Sequence, residues 1–281
     1  MLMNNILLVY KEKGMTSFDV IRELRKCFKI KAIGHCGTLD PNAEGLLIVL
    51  LGKATKLSQF IIDDHKEYLA KVKLGIMTDS LDIDGKIIKE AKQEISLDDL
   101  KELLAKFKGR LIQKPPIISA IKIKGKKLYE YHRENKEIKI PDREVYVYHN
   151  ELITYDKNEF SFKTKVSKGT YIRSLVRDML EAKNKFGILS DLLRISQGPH
   201  NINKAYRLDD IRKGNFKLLD PLEFMKEYYH EYITNKPDDI YNGKKIKINS
   251  NHQRLIISYD NKLIAIYEKD GEYYRSLRGL F

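Results

Sequence analysis

The run Gly45-Leu46-Leu47-Ile48-Val49-Leu50-Leu51-Gly52 constrains the fold of this chain more than any other stretch. Six consecutive aliphatic residues between two glycines have the length of a strand and no polar position to turn toward water. The run reads as a buried strand that ties whatever precedes it to a core. What precedes it is Gly34-His35-Cys36-Gly37-Thr38-Leu39-Asp40-Pro41, a loop with one carboxylate near its end. The glycines permit unusual backbone angles, and Pro41 biases Asp40 toward an extended conformation. Asp-Pro beside glycine is also an ordinary turn signal, so the local pattern alone does not separate a site from a bend.

A length of 281 residues supports a substantial core and more than one domain. The N-terminal apolar run Ile6–Tyr10 is strand-sized with no basic region before it, and no apolar stretch approaches bilayer-spanning length. A cytoplasmic protein is expected. Cys27 and Cys36 form no metal-type cluster with nearby histidines, so a structural zinc is not expected, and Cys27 is read as a small core residue of an amphipathic helix. The formal net charge of +13 favours a polyanionic partner. The charge is concentrated between Lys122 and Lys139, where cations alternate with Tyr129 and Tyr131 in a pattern able to hold phosphates and stack on bases.

Along the chain, a strand over 6–10 leads to a helix capped by Thr16 or Ser17, with Phe18, Ile21, Leu24 and Phe28 as its apolar face. A helix is expected around Lys53–Ile62, a strand over Tyr68–Gly75, and a helix over Leu97–Phe107 started by Ser96 and Asp99. Two alternating strands follow at about 144–154 and 159–166, then a helix over 170–185 with Ile172, Leu175, Val176 and Met179 inward. Asp79-Ser80-Leu81-Asp82-Ile83-Asp84-Gly85 imitates a calcium loop, but Ala91 stands where a bidentate Glu is needed. From about residue 230, short segments at Ile246–Ile248, Leu255–Ser258 and Leu263–Tyr267, with a turn at Asp270-Gly271, predict a small β-rich appendage.

The segment GHCGTLDPNAEGLLIVLLGKATKLSQF resembles the signature of the TruB family of tRNA pseudouridine synthases, and the resemblance runs in order over residues 5–225. It includes KEKGMTS at 11–17, Lys66-Glu67-Tyr68, GIMTDSLD at 75–82, PPIISAIK at 115–122, Gly125–Arg133, SKGTYIRSL at 167–175 and Arg194. Glu12, Cys36 and Ile118 depart from the family's usual Pro, Thr and Tyr. The resemblance implies an α+β pseudouridine synthase fold, with a mixed, mainly antiparallel sheet and flanking helices. It implies a catalytic domain over 1–229 with a thumb-like RNA-clamping insertion at 77–118, and a small PUA-like RNA-binding domain over 230–281.

It also implies a reaction: uridine at position 55 of the tRNA T loop becomes pseudouridine after base extrusion. Asp40 would be the nucleophile that breaks the N1–C1′ bond, by attack on the base or through the sugar. Arg173 would keep that carboxylate charged, and Tyr68 would stack on the uracil and handle the C5 proton. His35, Asp82, Lys122, Lys168, Tyr171 and Arg194 are the implied RNA or pocket contacts. An isomerisation without redox change implies no metal and no organic cofactor. The partner implied is the tRNA T-arm, with no membrane, no obligate protein partner and a monomeric state. Two rivals share parts of the pattern: a non-catalytic tRNA-binding protein, and a hydrolase using Asp82 or Asp84.

Overall fold

A computed structural model describes residues 4–61 and 65–280. Contacts divide the chain into two compact units, one made of Met1–Leu39, Leu46–Ile62 and Ile202–Phe281, the other of Asp40–Gly45 and Asp63–Asn201.

In the first unit the aliphatic run forms the greater part of the strand Ala43–Leu51. It lies beside the strand Ile6–Lys11 and pairs antiparallel with Ile33–Cys36. Strand residues point alternately to opposite faces. Leu46, Ile48 and Leu50 therefore join Ile6 and Leu8 in one core, while Leu47, Val49 and Leu51 join Leu7 and Val9 in another. The helix Ser17–Phe28 feeds the second core with Val20, Ile21 and Leu24. Thr16 caps it reciprocally: its hydroxyl accepts from the Asp19 N–H at 3.0 Å, and the Asp19 carboxylate accepts from the Thr16 N–H at 2.9 Å.

Two expectations for this helix are corrected. Phe18 is 58% exposed with Arg25 over its ring, and Val20 takes the buried position instead. Cys27 is exposed although it lies nearly in line with buried Val20, seven positions earlier; it falls in the last turn of the helix, which ends at Phe28. The helix expected around Lys53–Ile62 is a 3-10 turn over Gly52–Leu57 followed by one α-turn, Ser58–Ile61. Its expected last residue, Ile62, lies outside the described residues.

The same unit carries a C-terminal sheet of four strands in the order His230–Ile233, Arg254–Tyr259, Lys262–Asp270, Tyr273–Gly279. Its first pair is parallel and the others antiparallel. Ile256 and Ile266 pack into the core that holds Leu46 and Leu50, whereas Leu255, Ile257, Ala265 and Tyr267 face a local cluster with Ile240 and Tyr274. Ile246–Ile248 is not a strand; Ile246 makes a single bridge to Tyr274.

The second unit is built on a mainly antiparallel sheet in the order Gly187–Gln197, Lys66–Leu74, Glu159–Val166, Arg143–Asp156, Gly109–Gln113. Ala43–Gly45 adds to it in parallel, alongside Leu192–Arg194. Phe160, Phe162, Thr164 and Val166 are buried as the alternation predicts. The helix Ile172–Glu181 packs on the strand Gly187–Gln197 and buries Leu175, Val176 and Met179. It starts two residues later and ends four earlier than the pattern suggested, with Asn184 taking a left-handed conformation beyond its end. The architecture is α+β with a mixed, mainly antiparallel sheet and a separate C-terminal β-rich sheet.

Candidate active site

The site is assembled inside the second unit around one guanidinium. Arg173 lies in the first turn of the helix Ile172–Glu181 and is 3% exposed. A buried cation loses hydration, and the first turn of a helix is the wrong end of the dipole for positive charge. Both penalties are answered by what surrounds it. One Nη lies 2.9 Å from Asp40 Oδ2 in an ion pair and donates to the Ile118 carbonyl at 3.1 Å. The other donates to the Ser80 carbonyl at 2.9 Å and lies 3.5 Å from Asp82 Oδ2. The buried Nε has no hydrogen-bond partner among the described residues.

Asp40 presents its carboxylate from a tight turn, in which its carbonyl accepts from the Ala43 N–H at 3.1 Å. Gly45 lets that segment dock: at φ +111° a Cβ would sit 2.4 Å from the Arg194 carbonyl oxygen. A side chain there would push the Asp40 turn off its neighbour strand. The Asp40 side chain keeps 39% of its surface open, so one face of the carboxylate meets solvent while the other meets Arg173.

The second carboxylate, Asp82, sits at the centre of the turn that imitates a calcium loop. Ser80 donates its hydroxyl to Asp82, and the Asp84 N–H donates at 3.1 Å. Leu81 adopts φ +67°, an unfavourable angle for a branched side chain, and a Cβ on Gly85 would lie 2.3 Å from the Ser80 hydroxyl. The turn is thus a tight scaffold that aims Asp82 at Arg173. Burial pushes the Asp82 carboxyl above its ordinary pKa; the Ser80 hydroxyl and Arg173 pull it back, and the charge of Asp40 adds to the rise.

Asp40, Asp82 and Arg173 line one cleft together with Asn42, Ser190 and Asp191. Its free space of about 20 Å³ has room for little more than one water. Tyr171 caps the same helix, its N–H donating to Gln113 Oε1 at 2.8 Å. Burial raises the pKa of its phenol, and the negative charge of Asp40 raises it further.

The other expected site residues are placed around this cluster in different ways. Tyr68 is 7% exposed and lies directly across the sheet from Arg194, which lies across from Gly45. That row runs beneath the Asp40 turn. Arg194 is wholly buried. Lys168 is exposed in the turn that precedes the Arg173 helix, and Lys122 is exposed on a two-residue ribbon paired with Lys127. His35 belongs to the first unit, opposite Val49. In the basic segment, Lys126 sits over Tyr131 while Lys127 and Arg133 flank Tyr129, so both tyrosines are already engaged by cations. The sequence reading did not single out the Ser80 and Ile118 carbonyls, Gln113, or the cleft residues Asn42, Ser190 and Asp191. A backbone carbonyl leaves no residue-type signal, and Ser190 and Asp191 lie on a strand that was not anticipated.

Among the described residues no group of three or more His, Cys, Asp or Glu is placed to hold a metal ion, and no helix is long and apolar enough to cross a membrane.

The comparisons with known proteins agree with one another. Residues 25–172 match the family described as TruB family pseudouridylate synthase (N terminal domain). A tRNA pseudouridine synthase B of Caldanaerobacter subterraneus subsp. tengcongensis is 39% identical over 283 residues, covering 99% of each chain. One of Lactobacillus acidophilus is 35% identical over 288 residues, covering 98% of this chain and 97% of the relative. Among solved structures, an H/ACA ribonucleoprotein bound to a substrate RNA containing 2′-deoxyuridine superposes with a TM-score of 0.74. It is 19% identical and covers 99% of this chain and 85% of its own, a likeness of fold. A Cbf5-Nop10-Gar1 complex gives the same TM-score at 21% identity over the same shares. With a family match over more than half its length and relatives this similar from end to end, the chain belongs to the TruB family of pseudouridylate synthases.

Proposed function

We propose that this chain isomerises uridine to pseudouridine in tRNA, at position 55 of the T loop, with Asp40 as the nucleophile. The observation that carries the role of Asp40 is its 2.9 Å ion pair with a guanidinium that is almost wholly buried. Arg173 sets a fixed positive charge beside it from a helix, and the open face of the carboxylate is left for the substrate.

The chemistry then follows from position. The target uridine leaves its stack and enters the cleft. Asp40, through the base or through the sugar, allows the N1–C1′ bond to break while Arg173 balances the charge that moves onto and off the carboxylate. The base turns and rejoins the sugar through C5; the C5 proton departs and the freed N1 takes one up, so that no atom is gained or lost overall. Tyr68 is assigned the face of the uracil and the handling of that proton. Asp82 shares Arg173 with Asp40 and fixes its guanidinium from the opposite side, a positioning role. Tyr171 stands at the start of the Arg173 helix as a neutral phenol.

Lys122 and Lys168 are assigned to RNA phosphates, with His35 aiding displacement of the nucleotide and Arg194 supporting the pocket from beneath. Residues 77–118 are assigned the clamping role; Ile83, Ile87 and Ile88 in that segment are each more than half exposed, as apolar wedges against splayed bases would be. We assign residues 1–229 to catalysis and 230–281 to a PUA-like RNA-binding module, in a cytoplasmic monomer.

The test is an unmodified T-arm stem-loop RNA incubated with the chain without added metal, with pseudouridine mapped by position. Product at position 55, and none when that uridine is replaced by cytidine, is expected. Product only at other uridines would refute the T-loop assignment.

A further inference from the structure

The first unit contains a cavity of about 380 Å³, within the size range of small-ligand sites. Its floor is apolar and fixed: Ala54, Leu57 and Ile264 are each at most 6% exposed, and they belong to or adjoin packed clusters. Its walls are pinned by the Lys53 N–H donating to Asn4 Oδ1 at 2.9 Å and the Leu280 N–H donating to the Ile264 carbonyl at 2.9 Å. Neither feature is used by the chemistry assigned to Asp40.

Three groups at this cavity point to one class of ligand. Lys53 and Lys262 are exposed, and among the described residues neither ammonium is in an ion pair, whereas Lys56 nearby donates to the Gly279 carbonyl. Two ammonium groups outside any such pair, over an apolar floor lined by the single carboxylate of Asp220, favour an anion. Tyr241, 40% exposed, adds an aromatic ring to the same lining. Asp220 contributes a carboxylate whose Oδ1 already accepts from the Leu222 and Glu223 N–H groups, leaving Oδ2 as an acceptor. Anion, flat ring and amino donor together describe a nucleotide whose base carries an exocyclic amino group.

We infer that this cavity is a mononucleotide-binding site, with the phosphate at Lys53 and Lys262, the base against Tyr241, and adenine, cytosine or guanine preferred over uracil. The same chemistry is offered by a free nucleoside monophosphate and by the terminal nucleotide of an RNA strand. The inference goes beyond the pseudouridine reading and needs no turnover, so either can fail alone.

The test is isothermal titration calorimetry of the full chain at low salt, with AMP, CMP, GMP, UMP, inorganic phosphate and a single-stranded RNA tetranucleotide. Wild type and Asp40→Asn are expected to bind the amino-bearing nucleotides equally, and UMP and phosphate at least fivefold more weakly. Lys262→Ala and Tyr241→Ala should each weaken binding by about tenfold, a stacked base being sensitive to loss of its ring, while Tyr241→Phe stays within about twofold. Thermal melts check that each variant is folded. Mononucleotides binding as tightly as the tetranucleotide identify a free-nucleotide site; a tetranucleotide that binds far more tightly identifies a strand end. Absence of binding by every probe, phosphate binding as well as AMP, or Lys262→Ala and Tyr241→Ala binding like wild type would each overturn the inference.

Discussion

The two units bury different things. In the first, the described core is almost wholly aliphatic and aromatic, and its buried polar side chains are confined to Lys11, Ser17, Thr234 and Ser258. In the second, Arg173, Arg194, Gln197, His200, Asn150 and Thr164 are all buried. Some of these serve the sheet: Thr164 donates its hydroxyl to Asn150, whose amide caps the carbonyls of Leu104 and Phe107. Arg173 holds the Ser80 and Ile118 carbonyls and faces two carboxylates. Burying an ion pair rarely stabilises a fold more than apolar packing would. The contrast is one of kind: the described core of the first unit is apolar, whereas the second buries polar and charged groups, among them the cation beside Asp40.

Arg173→Met should break that contrast most severely. It leaves Asp40 and Asp82 adjacent without their shared cation, so turnover of a T-arm substrate should fall by at least about a hundredfold in single-turnover assays. Stability in urea should fall by about 3 kcal/mol, the usual cost of breaking a buried pair. Leu47→Ala in the first unit should cost a similar amount, about 3 kcal/mol, because a wholly buried leucine leaves a cavity. Its single-turnover rate on the folded fraction, however, should remain within about twofold of wild type. A large catalytic loss there would erase the division between the units. Thr16→Ala removes one half of a capping box and should cost about 1 kcal/mol in the same urea experiment.

The Asp82 carboxyl sharpens the comparison through pH. Its pKa is raised in the folded protein by burial, so its contribution to stability is complete below the unfolded value near 3.8 and is lost as pH rises through the raised one. Asp82→Asn should therefore raise the melting temperature relative to wild type at pH 7, with the difference shrinking toward pH 4. A difference that grows on acidification would mean that Asp82 is held charged instead. Cys27→Ser should change stability by less than about 0.5 kcal/mol, since the side chain is exposed.

Much of this was legible in the residues. The aliphatic run 46–51 could only be a strand covered on both faces, and it is shared between two cores as its alternation requires. The pairing of Asp40 with Arg173 is visible in sequence only through a family motif, because the residues lie 133 positions apart and no local pattern links them. Three things were hidden for physical reasons. The strand Gly187–Gln197 carries Ser190, Asp191 and Arg194, polar residues that mask a buried strand until its neighbours are known. The parallel strand His230–Ile233 and the strand Tyr273–Gly279 are short, and their registers are set by tertiary pairing. Phe18 was misplaced because periodicity leaves the edge of the stripe open, and Cys27 because the stripe does not tell where along the helix its cover ends.

The most direct test of the central claim is single-turnover pseudouridine formation by wild type and Asp40→Asn on the T-arm stem-loop, with RNA binding measured in parallel. Asparagine keeps the shape of the side chain beside Arg173 but carries no charge. The account predicts product with wild type and none with Asp40→Asn, at unchanged affinity for the RNA. Product formed by Asp40→Asn at the wild-type rate would contradict it, and Asp40 would then be a turn residue that Arg173 only anchors.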